Sequence, residues 1–290
     1  MSLFNIFLVG LSILATANAT PVTPSSKVTR AAPSSFPLGD ACENEWKYLN
    51  FDPEDDTDKA HLQKLHDVIC GGELRAIAIW GSQAASDTEN AINVAYDVFF
   101  GTDNDTPAKV NDVLMKIAGQ SSTEGKIGEI VGTMIVDSTD FKNQCDTDEA
   151  YTGPDTDGRE KIHICDETYD KPLAGPDIEC GSLDKYPSLK MDTFSRVVLH
   201  ETLHYSTVGP SSKLESQIVD QQNEDEQTAY GPERAHGLND SDQDDQPEKA
   251  ETNADNYAWM ALSAWISSLC TPDDEQDAWD SYFPDDPPEY

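Results

Sequence analysis

The sequence predicts an α+β fold, on three observations. Apolar residues recur at helical spacing in several blocks. Other short runs alternate, or are apolar throughout, as strands are. The two kinds follow one another irregularly rather than in a β-α alternation. In order, Asp58 to Ile69 and Asp87 to Phe99 have helical spacing. Leu74 to Trp80 reads as a buried strand, and Ile127 to Val136 has both strand and helix character. Glu160 to Cys165 alternates polar and apolar, as a half-exposed strand does. Asp192 to Tyr205 is a helix with Asp192 or Thr193 as its cap. Asn253 to Cys270 is a second strong helix, with Asn253 placed to cap it. Its Ala258, Leu262, Trp265, Ile266 and Leu269 fall on one face.

Length and charge bound the rest. The chain has 290 residues and a formal net charge of −36. Clustered Lys and Arg, which phosphate contacts need, are lacking, so nucleic acid and anionic membranes are excluded as partners. An acidic surface suits cationic partners and divalent metals. Residues 1–19 have the short apolar block and the Ala-Asn-Ala end of a secretory signal peptide. Residues 20–40 are a leader or linker rich in Pro, Ser and Thr, with Arg30 a point for trimming; 41–270 are the folded domain; 271–290 are an acidic tail expected to be disordered. A second acidic block, Asp240 to Glu251, reads as a surface loop. Six cysteines, Cys42, Cys70, Cys145, Cys165, Cys180 and Cys270, suit three disulfides in a secreted chain, with those at the two ends stapling the domain. Asn104 and Asn239 open glycosylation sequons.

The most informative residues are His200-Glu201-Thr202-Leu203-His204. On a helix, positions four apart project from one face, so two imidazoles are offered to one metal ion. Neutral imidazole suits zinc, and Glu201 is placed to take a proton from a zinc-activated water and pass it to a leaving amine. A catalytic zinc needs a third protein ligand. Thr207 and Pro210 stand where a Gly-x-x-His continuation would put Gly and His. Glu224 lies in a stretch with no apolar helical face to hold it.

An aspartate ligand remains. The motif is followed by Ile218-Val219-Asp220, Tyr230-Gly231-Pro232 and Asn253-Ala254-Asp255-Asn256-Tyr257. Over roughly residues 190–270 this series resembles the fungal deuterolysin-like zinc metallopeptidases, the aspzincins. That family carries Gly-Thr-x-Asp-x-x-Tyr-Gly. Here Gln227 stands at the Asp position and no Gly-Thr precedes it. An amide is a poor substitute for a carboxylate on zinc, which leaves Asp220, Asp225 or Glu226. Asp220 is favoured because Ile218 and Val219 can bury and fix its backbone, and Asp225 is the alternative. The resemblance implies a zincin-like domain holding one Zn2+ on His200, His204 and that carboxylate. It also implies that Tyr230 donates to the developing oxyanion. Asp255 either orients a ligand histidine or stabilises its helix start.

The expectation is a secreted, monomeric zinc metalloendopeptidase acting on protein or peptide substrates. The alternative is a zinc-binding secreted or cell-surface protein without proteolysis, and a third reading is an acidic cell-wall glycoprotein. Among other aromatic residues, His163 packs or lines a cleft, while His61, His66 and His236 are surface or structural. Trp259 and Trp265 belong to the core, and Tyr205 packs or walls the site.

Overall fold

The computed structural model describes residues 47–86, 93–100, 105–119, 128, 130–175, 177–184, 186–240 and 246–270. The signal peptide, the leader, the acidic tail, Cys42, Asn104 and the first part of the Asp87 to Phe99 segment lie outside them. Three parallel strands and one antiparallel strand form a sheet in the order β1-β2-β4-β3, with β1 at Lys47–Leu49, β2 at Ile135–Asp137, β3 at Ala150–Pro154 and β4 at Glu160–Ile164. The helices are α1 (Asp56–Ile69), α2 (Glu73–Ser86), α3 (Asn93–Phe99), α4 (Thr106–Ala118), α5 (Phe194–His204), α6 (Gly231–Gly237), α7 (Pro247–Ala250) and α8 (Ala254–Cys270). This is the expected mixture of helices and one small sheet. Among the described residues no helix is long and apolar enough to cross a membrane.

Each main helix follows from its residues. The side chain of Asp55 accepts from Thr57 and Asp58 N–H groups and starts α1. The Thr193 side chain caps α5 by accepting from Arg196 N–H. The centre of the core is α8, which packs on α2, α3, α5 and α6 and is buried on almost every side from Ala254 to Ser267. A helix apolar all round belongs in an interior rather than at a surface. Trp259 and Trp265 are both buried in it. Leu269, assigned to the buried face, is instead 46% exposed beyond the helix's packed length.

The segment Leu74 to Trp80 is not a strand but the first half of α2. Its buried residues, Leu74, Ile77, Ala78, Gly81, Ser82, Ala84 and Ala85, step at helical intervals. A short apolar run looks alike in both periods, and the alanines and glycine that follow carry it on as a helix. Gly81 lets helices close: a Cβ there would lie 2.6 Å from Ala261 Cβ and 2.8 Å from Leu114 Cδ1, on α8 and α4.

Strand β4 is likewise not half-exposed. It lies inside the sheet between β2 and β3, and its polar Lys161 and His163 are buried, while Glu160 at its start is half-buried. Lys161 is accommodated by two carboxylates, Asp137 at 2.7 Å and Asp155 at 2.8 Å. His163 packs with Nδ1 2.8 Å from Asp137 O. Disulfides join Cys145 to Cys165 and Cys180 to Cys270, and Cys70 is also disulfide-bonded. The C-terminal staple therefore reaches the middle of the chain. In the second acidic block, α7 replaces part of the expected loop, and Glu251 takes bonds from Thr106 Oγ1 and, at 3.0 Å, from Lys109 Nζ.

Candidate metal and active site

Helix α5 presents His200 and His204 from one face, and the segment leading away from it brings Asp220 to them. Val219 N–H donates to Thr252 O at 2.9 Å, and Ala254 N–H donates back to Val219 O at 3.0 Å. Gln221 N–H donates to Asn253 Oδ1 at 2.9 Å. Asn253, expected as a helix cap, thus holds the strand that carries Asp220. Ile218 is fully buried, and its carbonyl lies 3.2 Å from His204 Nδ1.

These supports decide which ring nitrogens point inward. A carbonyl can only accept, so His204 Nδ1 carries the proton. His200 Nδ1 lies 2.6 Å from Asp255 Oδ1 and donates to that carboxylate. Both Nε2 atoms then turn lone pairs to the interior, 3.0 Å from each other. Asp220 Oδ1 stands 3.2 Å from each of them. It is buried and accepts no hydrogen bond. Three lone-pair atoms this close repel unless a cation lies among them. Ligands about 2.0–2.1 Å from a tetrahedral zinc are about 3.3–3.4 Å apart, near the spacings here. The residues fit zinc.

A proton competes with a metal ion for these ring nitrogens, because the same carboxylates stabilise either cation. Burial works against a charged His200 ring, but Asp255 and Asp220 outweigh it and hold its pKa well above the ordinary value. Burial also works against the Asp220 carboxylate, yet its contacts with His200 and His204 hold its pKa far below the ordinary range. Asp255 is lowered too, as His200 and Arg196 overcome its burial.

Glu201 lies beside the triangle, 3% exposed, with Oε1 4.0 Å from His200 Nε2. Thr152 on β3 stands 2.8 Å from Glu201 Oε2 and 2.9 Å from its backbone carbonyl, so its hydroxyl donates to one or the other. Burial raises the Glu201 carboxyl above its usual value, and His200, His204 and Thr152 offset only part of this. Tyr230 donates from its hydroxyl to Asp220 Oδ2 at 2.9 Å, and burial followed by the charge of Asp220 pushes that phenol upward. Gly231 has a φ of 83°, which suits glycine, and its N–H donates to Asp255 Oδ2 at 2.6 Å.

No family model and no curated protein matches the chain. Among solved structures it is similar to a zinc peptidase from Grifola frondosa, at 18% identity and a TM-score of 0.32, over 66% of this chain and 94% of that one.

Asp220, His200, Glu201, His204 and Tyr230 are brought together. Asp225 is not: it is exposed in the turn between Gln222 and Thr228, as are Glu224, Glu226 and Gln227. His163 is drawn into neither site nor cleft. It neighbours Cys145 and Cys165, but their sulfurs are spent in a disulfide, so that trio offers no thiolate. His61 stacks on Tyr169, His66 is buried, and His236 lies 2.6 Å from Val98 O. Asn239 of the second sequon directs its amide to Asp97 O at 3.4 Å. Tyr205 ties the end of α5 to β4, donating to Glu160 O at 2.7 Å.

Two residues of the site carry no motif. Arg196 donates to Asp192 at 2.8 Å and to Asp255 and Glu149 at 3.3 Å each, so Asp255 is fixed from behind. Its signal is the spacing Asp192, Arg196, His200, an ion pair one turn before the first histidine. Thr152 has no sequence signal at all, since only the sheet brings it to Glu201.

Proposed function

We propose that the protein is a secreted zinc metalloendopeptidase. The observation that supports this is the convergence of His200 Nε2, His204 Nε2 and the unpartnered Asp220 Oδ1 beside the buried Glu201 carboxylate. One zinc ion held by those three atoms would supply a Lewis acid that acidifies a water and polarises a peptide carbonyl. Thr152 occupies one oxygen of Glu201 and leaves Oε1 on the histidine side to take the proton of the attacking water. The raised pKa of Glu201 suits a group that must hold this proton and then release it to the leaving amine. Asp255 keeps the His200 proton on Nδ1. Tyr230, at the rim, swings its hydroxyl from Asp220 to the oxyanion. The disulfides suit an oxidising, extracellular compartment.

Replacing Glu201 with Gln tests the reading. Zinc content and melting temperature are expected to stay within error, while hydrolysis of a mixed peptide library falls by roughly 10²–10⁴. Zinc uptake with no hydrolysis by the native chain would select the non-proteolytic zinc binder instead.

A further inference from the structure

Two pockets open from Glu201 and Tyr230, and they differ in character. One lies on the His204 side, has a volume of 380 Å³ and is lined mainly by polar residues, Lys142, Gln144, Thr152 and Glu160 among them. The other lies on the His200 side, between α5, the 186–192 segment, the start of α6 and α8, with a volume of 420 Å³. Its apolar walls are Ala150, Pro187, Leu189, Val197, Pro232 and Trp259.

We propose that the pocket on the His200 side is a specificity site that seats a bulky apolar side chain next to the scissile bond. The chain then cuts peptides beside Leu, Phe, Met or Ile in preference to charged residues. The inference rests on the peptidase reading and adds the substrate class.

Three observations carry it. First, the volume suits a large side chain within a site of ordinary ligand-pocket size. Second, the large apolar side chains left exposed among the described residues are Leu189, Val219, Tyr230 and Leu269. Leu189 and Tyr230 line this pocket, and Val219 lines its neighbour. Exposed apolar surface gathered at a cleft marks a binding surface. Third, Arg196, Asp192 and Asp255 of the lining are already matched to one another, Arg196 bonding to both carboxylates and Asp192 also to Lys171 at 2.6 Å, while the buried Glu201 is reserved for the chemistry. An incoming Lys or Arg would lose its hydration to meet the Arg196 guanidinium. An incoming Asp or Glu would meet Asp192 and Asp255. Glu149, Glu233 and Arg234 are the exposed charged residues of the lining and keep their charges in water, and Asp148 is half-buried.

The test uses the zinc-loaded native chain and one peptide series in which each residue flanking the cut is varied in turn, with cleavage sites read by mass spectrometry. At one of the two flanking positions, kcat/KM for Leu, Phe or Met should exceed that for Ala, Lys and Asp by about tenfold or more. Leu189→Glu should erase that preference and raise cleavage beside Lys. Equal rates across the native series, or a native preference for Lys or Asp, would overturn the proposal while leaving the peptidase reading intact. If no peptide is cut, the peptidase reading fails, and calorimetry of the same peptides with the Glu201→Gln protein judges the pocket. Tighter binding of the Leu peptide than of the Lys and Asp peptides supports it, and equal binding overturns it.

Discussion

Asp255 Oδ1 accepts a hydrogen bond from His200 Nδ1 at 2.6 Å, while the other oxygen of that carboxylate takes the N–H of Gly231. One buried side chain at the start of α8 therefore fixes both the first histidine of α5 and the turn that carries Tyr230. Asp255→Asn keeps an acceptor for the ring but removes the charge that makes Nε2 a strong donor to metal. Zinc affinity, measured by competition with a chelator, is expected to fall by about tenfold to a hundredfold. Unchanged affinity would make Asp255 a packing residue only.

The third ligand separates by the same measurement. Asp220→Ala removes the carboxylate whose Oδ1 stands 3.2 Å from both imidazoles, whereas Asp225→Ala alters an exposed turn. Zinc binding should collapse in the first variant and match the native chain in the second. The reverse order would move the ligand to Asp225 and overturn the arrangement described above.

Legibility followed the range of the interaction. The two histidines and Glu201 were readable because their geometry is local to one helix turn. Asp220 was readable through Ile218, which is buried, but Val219, expected to bury with it, is 39% exposed, and the bonds that hold the segment come from Thr252, Asn253 and Ala254, far along the chain. Asp255 stood in the sequence as an even choice between helix start and histidine partner, and only the packing of α8 on α5 places it at His200. The strand assigned to Leu74 to Trp80 failed because a short apolar run has no period of its own, and α4 and α8 set its conformation. The position of Thr152 and the burial of β4 depend on strand order, and the Cys180–Cys270 pairing on where the end of α8 packs, none of which a local pattern encodes.

The Lys161 network gives a prediction about acid stability. Burial works against the Asp137 carboxylate, but the bond from Lys161 and those from Thr139 and Asn50 outweigh it and lower its pKa. A depressed pKa gives stability that is full above the unfolded carboxylate value, about 3.9, and is lost as pH falls through the folded value. Lys161→Met leaves the buried Asp137 without its cation, while Asp155 keeps Arg159 at 3.0 Å, at an expected cost of about 3–5 kcal/mol at neutral pH. Protonation relieves that cost, so the difference in melting temperature between native and variant should be largest near neutrality and narrow below about pH 4. A gap that does not change with pH would mean that the variant suffers from lost packing alone.

Tyr230 has two separable duties, since its hydroxyl donates to Asp220 Oδ2 at 2.9 Å yet its side chain is 48% exposed at the rim of both pockets. If it only steadies Asp220, Tyr230→Phe should weaken zinc binding and leave turnover at saturating zinc untouched. If it serves the oxyanion, zinc affinity should hold and kcat should fall by about 10²–10³, with KM little changed, because that contact forms fully only in the transition state. The second outcome is expected. The Asp220 carboxylate keeps both imidazoles as neighbours without the phenol, and its backbone stays tied to α8 through Val219 and Gln221. A phenol with its pKa raised stays protonated through the neutral range and is available to donate. Steady-state kinetics of Tyr230→Phe at saturating zinc, beside a chelator titration, distinguishes the two duties, and a kcat equal to the native value removes Tyr230 from the chemistry.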